Sequence, residues 1–377
     1  MSKQLTIKVT DKQYDLLRRI AISDRYKLDD LIRLVFARGL EFQWCEDYLS
    51  FRKKEDEFTP EEKEQLLKNT EIEKDLVKIK ISHASLNFPD WLMSQGKYQR
   101  KPELPFFLGM EGSGIIESIG PDAKELQIGD EVMFGGWGHG AMANYIILPA
   151  SKITKKPSSL NMAEAAAFAT AYTTAYVSLI RRGEMKPDDV VLIHGSSGGV
   201  GMAAVQLAKM FGNRVIATGT SDEKLQIVKS WGADHVLNTL KDGITAFREE
   251  VKDLTDGKGA DVIYDPVGGD VFDESIRCIN WNGRLLIVGF TSGRLPSLPV
   301  NIALIKGFSV IGVRAGEYGI RDPEKGAETK KIIHELAETG NLKPHICREF
   351  NLTDAKDALE YLSERKLVGK VVIKNNL

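Results

Sequence analysis

The stretch from Val190 to Thr218 constrains the fold more than any other. Val190-Val191-Leu192-Ile193, closing on His194, is a continuous apolar run. Such a run marks a strand buried on both faces. It breaks at Gly195-Ser196-Ser197-Gly198-Gly199-Val200-Gly201, and Val200 to Phe211 then carries helical periodicity. Arg214-Val215-Ile216-Ala217-Thr218 is a second buried run. A helix between two buried strands requires a right-handed crossover in a parallel sheet. The alternation continues with a helix at Glu223–Trp231 and strands at His235–Asn238, Asp261–Tyr264, Arg284–Val288 and Ser309–Gly312. The expected fold class is therefore α/β, with a Rossmann-type doubly wound parallel sheet at its centre.

The turn after the first of these strands has a chemical reading. A GxGxxG match alone is a weak signal; here Ser196 stands in the first glycine place, with Gly198 and Gly201 in the second and third. The context is specific, because the turn follows a strand and opens a helix inside a βαβ unit. Gly198 lets backbone approach a pyrophosphate, and Gly201 lets helix and strand pack closely. Ser197, Gly198, Gly199, Val200 and Gly201 would then present free N–H groups at a helix N-terminus to phosphates. The competing reading is a purely structural glycine turn.

The tip of the second strand bears on which nucleotide binds. NAD sites place an acid there for the ribose 2′-hydroxyl. This chain has Thr218-Gly219-Thr220-Ser221, followed by Lys224 on the next helix. Hydroxyls and a lysine suit a 2′-phosphate that a carboxylate would repel. NADPH is therefore expected over NADH, although Asp222 and Glu223 leave room for some NADH use. Lys224 also reads as an ordinary solvated lysine. Farther along, Val267, Gly289 and Phe290 lie at the carboxyl ends of two strands, where their backbone would face the nicotinamide half. Asp265 reads as a plain strand-end acid rather than a catalyst.

Composition excludes several classes. The net charge of −2 gives no global basic excess for nucleic acid. Cys45, Cys278 and Cys347 are the only cysteines and form no CxxC pair, so a zinc ribbon or a disulfide framework is not expected. No apolar stretch has the length of a signal or a membrane span. A cytoplasmic protein without a membrane segment is the expectation.

Outside the central sheet the chain changes character. Residues 71–150 read as short strands broken by Gly, Pro and Asp. The C-terminal part carries helical patterns near 325–339 and 354–365 and a closing strand, Lys370 to Lys374. Residues 1–70 are rich in charge and helix formers: Gln4 to Val9 alternates like a strand, and Asp11–Ile22 and Asp29–Phe42 read as helices. Strand, helix, helix over residues 1–45 resembles a ribbon-helix-helix DNA-binding module, whose strand would enter the major groove. Residues 1–42 hold nine Lys/Arg against six Asp/Glu, a mild excess. The blander readings are a dimerisation arm or a helical replacement for a missing sheet edge.

Several spaced segments together resemble a known family. They are Asn87-Phe88-Pro89-Asp90, Gln95-Gly96-Lys97-Tyr98, Leu104 to Gly112, Gly129-Asp130-Glu131-Val132, the Gly-rich turn and Tyr264 to Phe290. In this order they resemble the zinc-free quinone oxidoreductase branch of the medium-chain dehydrogenase/reductase superfamily, over about 71–377. The resemblance implies a GroES-like β-barrel catalytic domain at 71–150, completed by 319–377, and a Rossmann NADP-binding domain at 151–318. It implies a likeness to alcohol dehydrogenases, a homodimer, and a cleft between the domains for cofactor and substrate. By the same resemblance Asn87 and Tyr98 line that cleft as candidate catalytic residues, Thr173 contacts cofactor at the domain junction, and Arg365 reaches the 2′-phosphate. A family contact after the third strand is aromatic; here it is Thr239. The first two barrel strands of the family have no counterpart in residues 1–70.

The zinc relatives in this superfamily hold metal with a cysteine and a histidine, where this chain has Asn87 and Met110. Neither is a usual zinc ligand, and His83 and His139 are isolated, so no metal is expected. Without a Lewis acid, reduction of an already electrophilic acceptor is the chemistry that needs least help. The expected activity is NADPH-dependent, zinc-free reduction of quinones or α,β-unsaturated carbonyl compounds. The alternatives are a DNA-binding regulator whose reductase-like domain senses NADPH, and a cofactor-binding protein without turnover.

Overall fold

The computed structural model describes residues 75–99, 106–135, 140–241 and 243–375. The expectations placed on residues 1–70, DNA binding through residues 1–45 among them, lie outside the described residues, as does His139.

The first part of the described chain is a sheet of β1 (Leu76–Ser85), β2 (Glu111–Ile119), β3 (Glu131–Gly135), β4 (Tyr145–Pro149) and β5 (Ile153–Lys155), with helix α1 (Phe88–Ser94) after β1. Helices α2 (Met162–Ala166) and α3 (Ala169–Tyr176) lead away from it. The central part alternates β6 (Val190–Ile193), α4 (Gly199–Met210), β7 (Arg214–Gly219), α5 (Asp222–Ser230), β8 (His235–Asn238), α6 (Ala246–Asp253), β9 (Ala260–Asp265), α7 (Gly269–Ser275), β10 (Ile279–Ile287), α8 (Val300–Lys306) and β11 (Ser309–Gly312). The chain ends with α9 (Ala315–Arg321), α10 (Pro323–Glu338), β12 (Ile346–Asn351), α11 (Ala355–Ser363) and β13 (Lys370–Lys374).

Two sheets organise these elements. The central one runs β11-β10-β9-β6-β7-β8, and all its pairings are parallel. The strand order reverses between β6 and β9, which places a topological switch point at the carboxyl ends of those strands. Val191, Leu192 and Ile193 are fully buried, as their continuous apolar run requires. Helix α4 packs on this sheet through Ala203, Ala204, Leu207 and Ala208, where the small residues permit close approach.

The other sheet runs β12-β13-β1-β2-β3-β5, with β4 pairing β1. It therefore extends through Ile153–Lys155 on one side and takes in the two C-terminal strands on the other. Its core comprises Val77, Ile79, Ile81, Ile116, Val132 and Phe134 with Val371 and Ile373 of β13. The alternate buried residues of β1 follow from its pleat, since one face meets this core and the other does not.

The sheets are tied together at the residue that enters β13. Gly369 N–H donates to Ser197 O over 2.8 Å, and Gly369 bridges Gly198 in parallel. The residue before β13 is thus tied directly to the Gly-rich turn. Gly369 has φ 71°, and a Cβ there would meet the Cβ of His345 at 3.0 Å. Only glycine passes this crossing without strain.

Candidate active site

The Gly-rich turn has the geometry of a phosphate cradle. Gly198 is the N-cap of α4 with extended φ/ψ and, as a glycine, puts no side-chain cap on the first N–H groups of the helix. Gly195 has φ 56°. A Cβ on Gly201 would lie 2.7 Å from Ser196 Cα and closer still to Gly195 O. Ser196 is fully buried and pins the turn to the neighbouring strand, its Oγ donating to Thr218 O over 2.8 Å.

At the tip of β7, Thr218 is turned inward. Its Oγ1 pairs with His194 Nδ1 at 2.8 Å, while His194 Nε2 pairs with Ser275 Oγ at 2.8 Å. Burial holds the His194 imidazole down to about 3, so it stays neutral. The Thr218 hydroxyl is thus used within the sheet. Gly219 O accepts from the amide and hydroxyl of Thr239. Ser221 caps α5 by accepting from the amide of Lys224 over 3.4 Å.

The two expected phosphate-binding cations lie together. Lys224 Nζ donates to Arg365 O and, over 3.3 Å, to Leu367 O. Arg365 has φ 55° and donates through its guanidinium to Thr291 O over 2.5 Å. Burial lowers the Lys224 ammonium from its ordinary value.

The carboxyl ends of β9 and β10 form one braced pair of loops. Asp265 Oδ1 accepts from the amides of Val267 and Gly268, each over 2.8 Å, and Asp265 O accepts from Val288 and Gly289. Thr291 and Ser292 donate back to Pro266 O and Val267 O. Burial pushes the Asp265 carboxyl up to about 6, and its Oδ2 is buried without a partner among the described residues. Phe290 stands exposed beside this brace, and Val267 packs beneath Gly195.

On the barrel side the site centres on Asn87, Glu111 and Lys370, and sequence reasoning missed the last two as functional residues. Lys370 Nζ donates to Asn87 Oδ1 over 2.6 Å, Glu111 Oε1 over 3.0 Å and Leu86 O over 3.2 Å. Asn87 Nδ2 donates to Glu111 Oε1 over 2.9 Å. Glu111 Oε2 accepts from the amide of Thr170, an unsatisfied donor in the first turn of α3. Glu111 is fully buried, and Lys370 and Asn87 nearly so. The stem of Lys370 lies against Gly199, where a Cβ would collide with Lys370 Cδ.

Asn87 is also the N-cap of α1, and Asp90 accepts from its backbone N–H over 2.9 Å and from that of Gly109 over 3.1 Å. Burial drives the Asp90 carboxyl up to about 6, against the opposing pull of those hydrogen bonds and of Lys370. Tyr98 is half-buried in the segment after α1, with Gln99 Nε2 donating to its hydroxyl over 3.4 Å. Thr173 lies partly exposed on α3. The amide of Asn87 and the thioether of Met110 are both buried on the barrel side. Among the described residues, no three His, Cys, Asp or Glu side chains gather as a ligand set.

A parallel doubly wound sheet with an open glycine turn, joined to a GroES-like barrel, defines an oxidoreductase of the dehydrogenase type. Residues 73–158 match the alcohol dehydrogenase GroES-like domain, and residues 199–334 match the zinc-binding dehydrogenase family. The chain is 40% identical over 299 residues to a quinone oxidoreductase-like protein 2 homolog of Nematostella vectensis, covering 79% of this chain and 81% of that one. The structure of Escherichia coli quinone oxidoreductase complexed with NADPH superposes with a TM-score of 0.73 at 29% identity, over 84% of this chain and 94% of that one. The JamJ enoyl reductase superposes with a TM-score of 0.71 at 29% identity, over 81% and 93%. The chain belongs to the quinone oxidoreductase branch of the medium-chain dehydrogenases and reductases.

Proposed function

We propose that the chain reduces quinones or α,β-unsaturated carbonyl compounds with NADPH, without zinc. The observation that carries this reading is the junction at Gly199, where an open helix N-terminus abuts the Lys370 side chain that holds Asn87. Phosphate recognition and a polar barrel residue are thereby brought side by side, between the sheet that runs to Lys155 and takes in β12 and β13 and the parallel sheet of β6 to β11. The NADPH bound by the Escherichia coli relative and the enoyl reductase activity named for the other support the two halves of the reading.

The residues divide by role. Ser197 and Gly199 to Gly201 hold the pyrophosphate through backbone N–H groups. The Gly198 N–H, expected to be free, is instead donated to Gly195 O over 3.0 Å, so Gly198 serves by letting the backbone come close. Gly219, Ser221, Lys224 and Arg365 surround the 2′-phosphate end, the last two as cations, while Thr218 shapes the strand tip and Thr173 lines the cofactor side of the junction. Val267, Gly289 and Phe290 seat the nicotinamide end, and Asp265 braces them. Bound NADPH supplies the hydride. Asn87 and Tyr98 face the acceptor and offer hydrogen bonds to the charge that develops on its oxygen. An amide and a thioether are a poor donor set for Zn²⁺, and a conjugated acceptor accepts hydride without a metal.

The chain is read as a homodimer acting on a small molecule in the cytoplasm. The apolar side chains of Trp281, Val300, Leu304 and Ile305 are exposed beside the edge strand β11 and support self-association. Among the described residues no helix is long and apolar enough to cross a membrane.

Fluorescence titration with NADPH and NADH, followed by oxidation assays over quinones and enones, tests the reading. Tighter NADPH binding with turnover is expected. Failure to bind either nucleotide would leave Gly195–Gly201 as a structural turn and overturn the reading.

A further inference from the structure

We infer that Glu111 and Lys370 are positioning residues that lock the Asn87 amide in one orientation, so that it meets the acceptor as a hydrogen-bond donor. The inference rests on the reductase reading above and assigns how its barrel residue is set.

An asparagine amide has a donor end and an acceptor end of nearly equal size, and packing alone scarcely distinguishes them. Charge does so here. Lys370 Nζ is a pure donor, and at 2.6 Å it takes the oxygen end. The Glu111 carboxylate is a pure acceptor, and at 2.9 Å it takes one N–H of the nitrogen end. A flipped amide would set its oxygen against a carboxylate and its NH₂ against an ammonium. Both contacts would be repulsive, and they would be strongly so where water is excluded.

The pair is itself held rigidly. All three donors of the Lys370 ammonium are used, on Leu86 O, Asn87 Oδ1 and Glu111 Oε1. The second oxygen of Glu111 is taken at 2.7 Å by the amide of Thr170 at the start of α3. Lys370 therefore has no proton left for a ligand, and Glu111 is fully buried. The group left over is the second N–H of Asn87 Nδ2, which has no partner among the described residues. An N–H suits the oxygen of a carbonyl or quinone as it gains negative charge, whereas an amide oxygen in the same place would oppose that charge. Because the Lys370 stem also lies on Gly199, this donor is held in register with the phosphate-binding turn.

The test uses the full chain and four substitutions, Glu111→Gln, Lys370→Met, Lys370→Arg and Asn87→Asp. NADPH affinity is read by fluorescence, and hydride transfer by single-turnover absorbance with an enone and with a more electrophilic quinone. Glu111→Gln and Lys370→Met should slow transfer to the enone by about 10-fold or more, short of the roughly 10²–10³-fold lost when an oxyanion donor is removed outright. The loss should be smaller with the quinone, NADPH affinity should stay within about 2-fold of the wild type, and Lys370→Arg should recover part of the rate. Wild-type rates in folded Glu111→Gln or Lys370→Met would overturn the inference. So would a loss of NADPH affinity that matches the loss of rate, because that marks general loosening. If neither variant folds, Asn87→Asp decides: it keeps an oxygen for Lys370 and removes the donor, so an unchanged rate overturns the inference and a comparable loss upholds it. Failure of the reductase reading would show separately, as no NADPH-dependent transfer by the wild type to any acceptor.

Discussion

Lys370 Nζ stands 3.0 Å from Glu111 Oε1, across 259 residues of sequence, with Glu111 fully buried and Lys370 nearly so. Two charges so enclosed are stable together and costly apart. Lys370→Met alone strands a buried carboxylate and should lower stability by about 3–5 kcal/mol. Combining it with Glu111→Gln removes the stranded charge and should restore a large part of that loss. Urea denaturation of the two single variants and the double variant checks this; additive losses would show that the pair is uncoupled.

Gly201 and Gly212 make a matched pair of alanine tests. At Gly201 a Cβ would press on Ser196 Cα and Gly195 O, so Gly201→Ala must spread the turn. A loss of about 1–3 kcal/mol is expected from overpacking, together with weakened NADPH binding. At Gly212 a Cβ meets open space and the only strain is φ 84°. Gly212→Ala should cost about 1 kcal/mol from backbone strain and leave binding unchanged. Thermal melts and nucleotide titration on both proteins separate the effects.

Asp265 should give the chain an inverse pH dependence in one window. Burial raises its carboxyl from 3.8 to about 6, so between those values the folded state holds a proton that the unfolded state has released. This contribution to stability is full below pH 3.8 and is lost as pH rises through about 6. Asp265→Asn keeps an acceptor for Val267 and Gly268 and removes the titration. Relative to the variant, wild-type stability should fall by up to roughly 3 kcal/mol across that window, at 1.36 kcal/mol per pKa unit. Parallel stability–pH curves for the two proteins would contradict it.

Lys224 and Arg365 should govern the choice of nucleotide. Lys224, in the first turn of α5, donates to the backbone of Arg365 just after α11, and Arg365 in turn donates to Thr291 in the loop after β10. Replacing either with alanine should weaken NADPH binding by about 10-fold or more, the scale of one charge-assisted hydrogen bond, with NADH affinity nearly unchanged. Equal losses for both nucleotides would assign these cations to loop structure.

The central sheet was legible because its strands announce themselves. His235–Asn238 and Ser309–Gly312 fall where the sequence places them, and the closing strand is Lys370–Lys374 as read. Buried parallel strands are short apolar runs between turn residues, so their signal is local. Helices α6 and α7 were not read, because each is short and mixes charge into its few apolar positions. The polar heart of the site was invisible for a different reason. Nothing local distinguishes Lys370 from the solvated Lys374 four residues on, and its partner lies in a distant strand. Likewise the Thr218 hydroxyl reads as a ligand contact until His194 is seen to occupy it.

The most direct test of the central claim is to follow the hydride itself. NADPH deuterated at the transferring position of its nicotinamide is mixed with the protein and an enone, and the product is examined by mass spectrometry and NMR. Deuterium at the β-carbon of a saturated carbonyl product is expected, since that carbon accepts hydride and the oxygen takes the charge. Oxidation of NADPH that leaves the product unlabelled, or no reduction of any enone or quinone, would contradict the assignment of this chain as a hydride-transferring reductase.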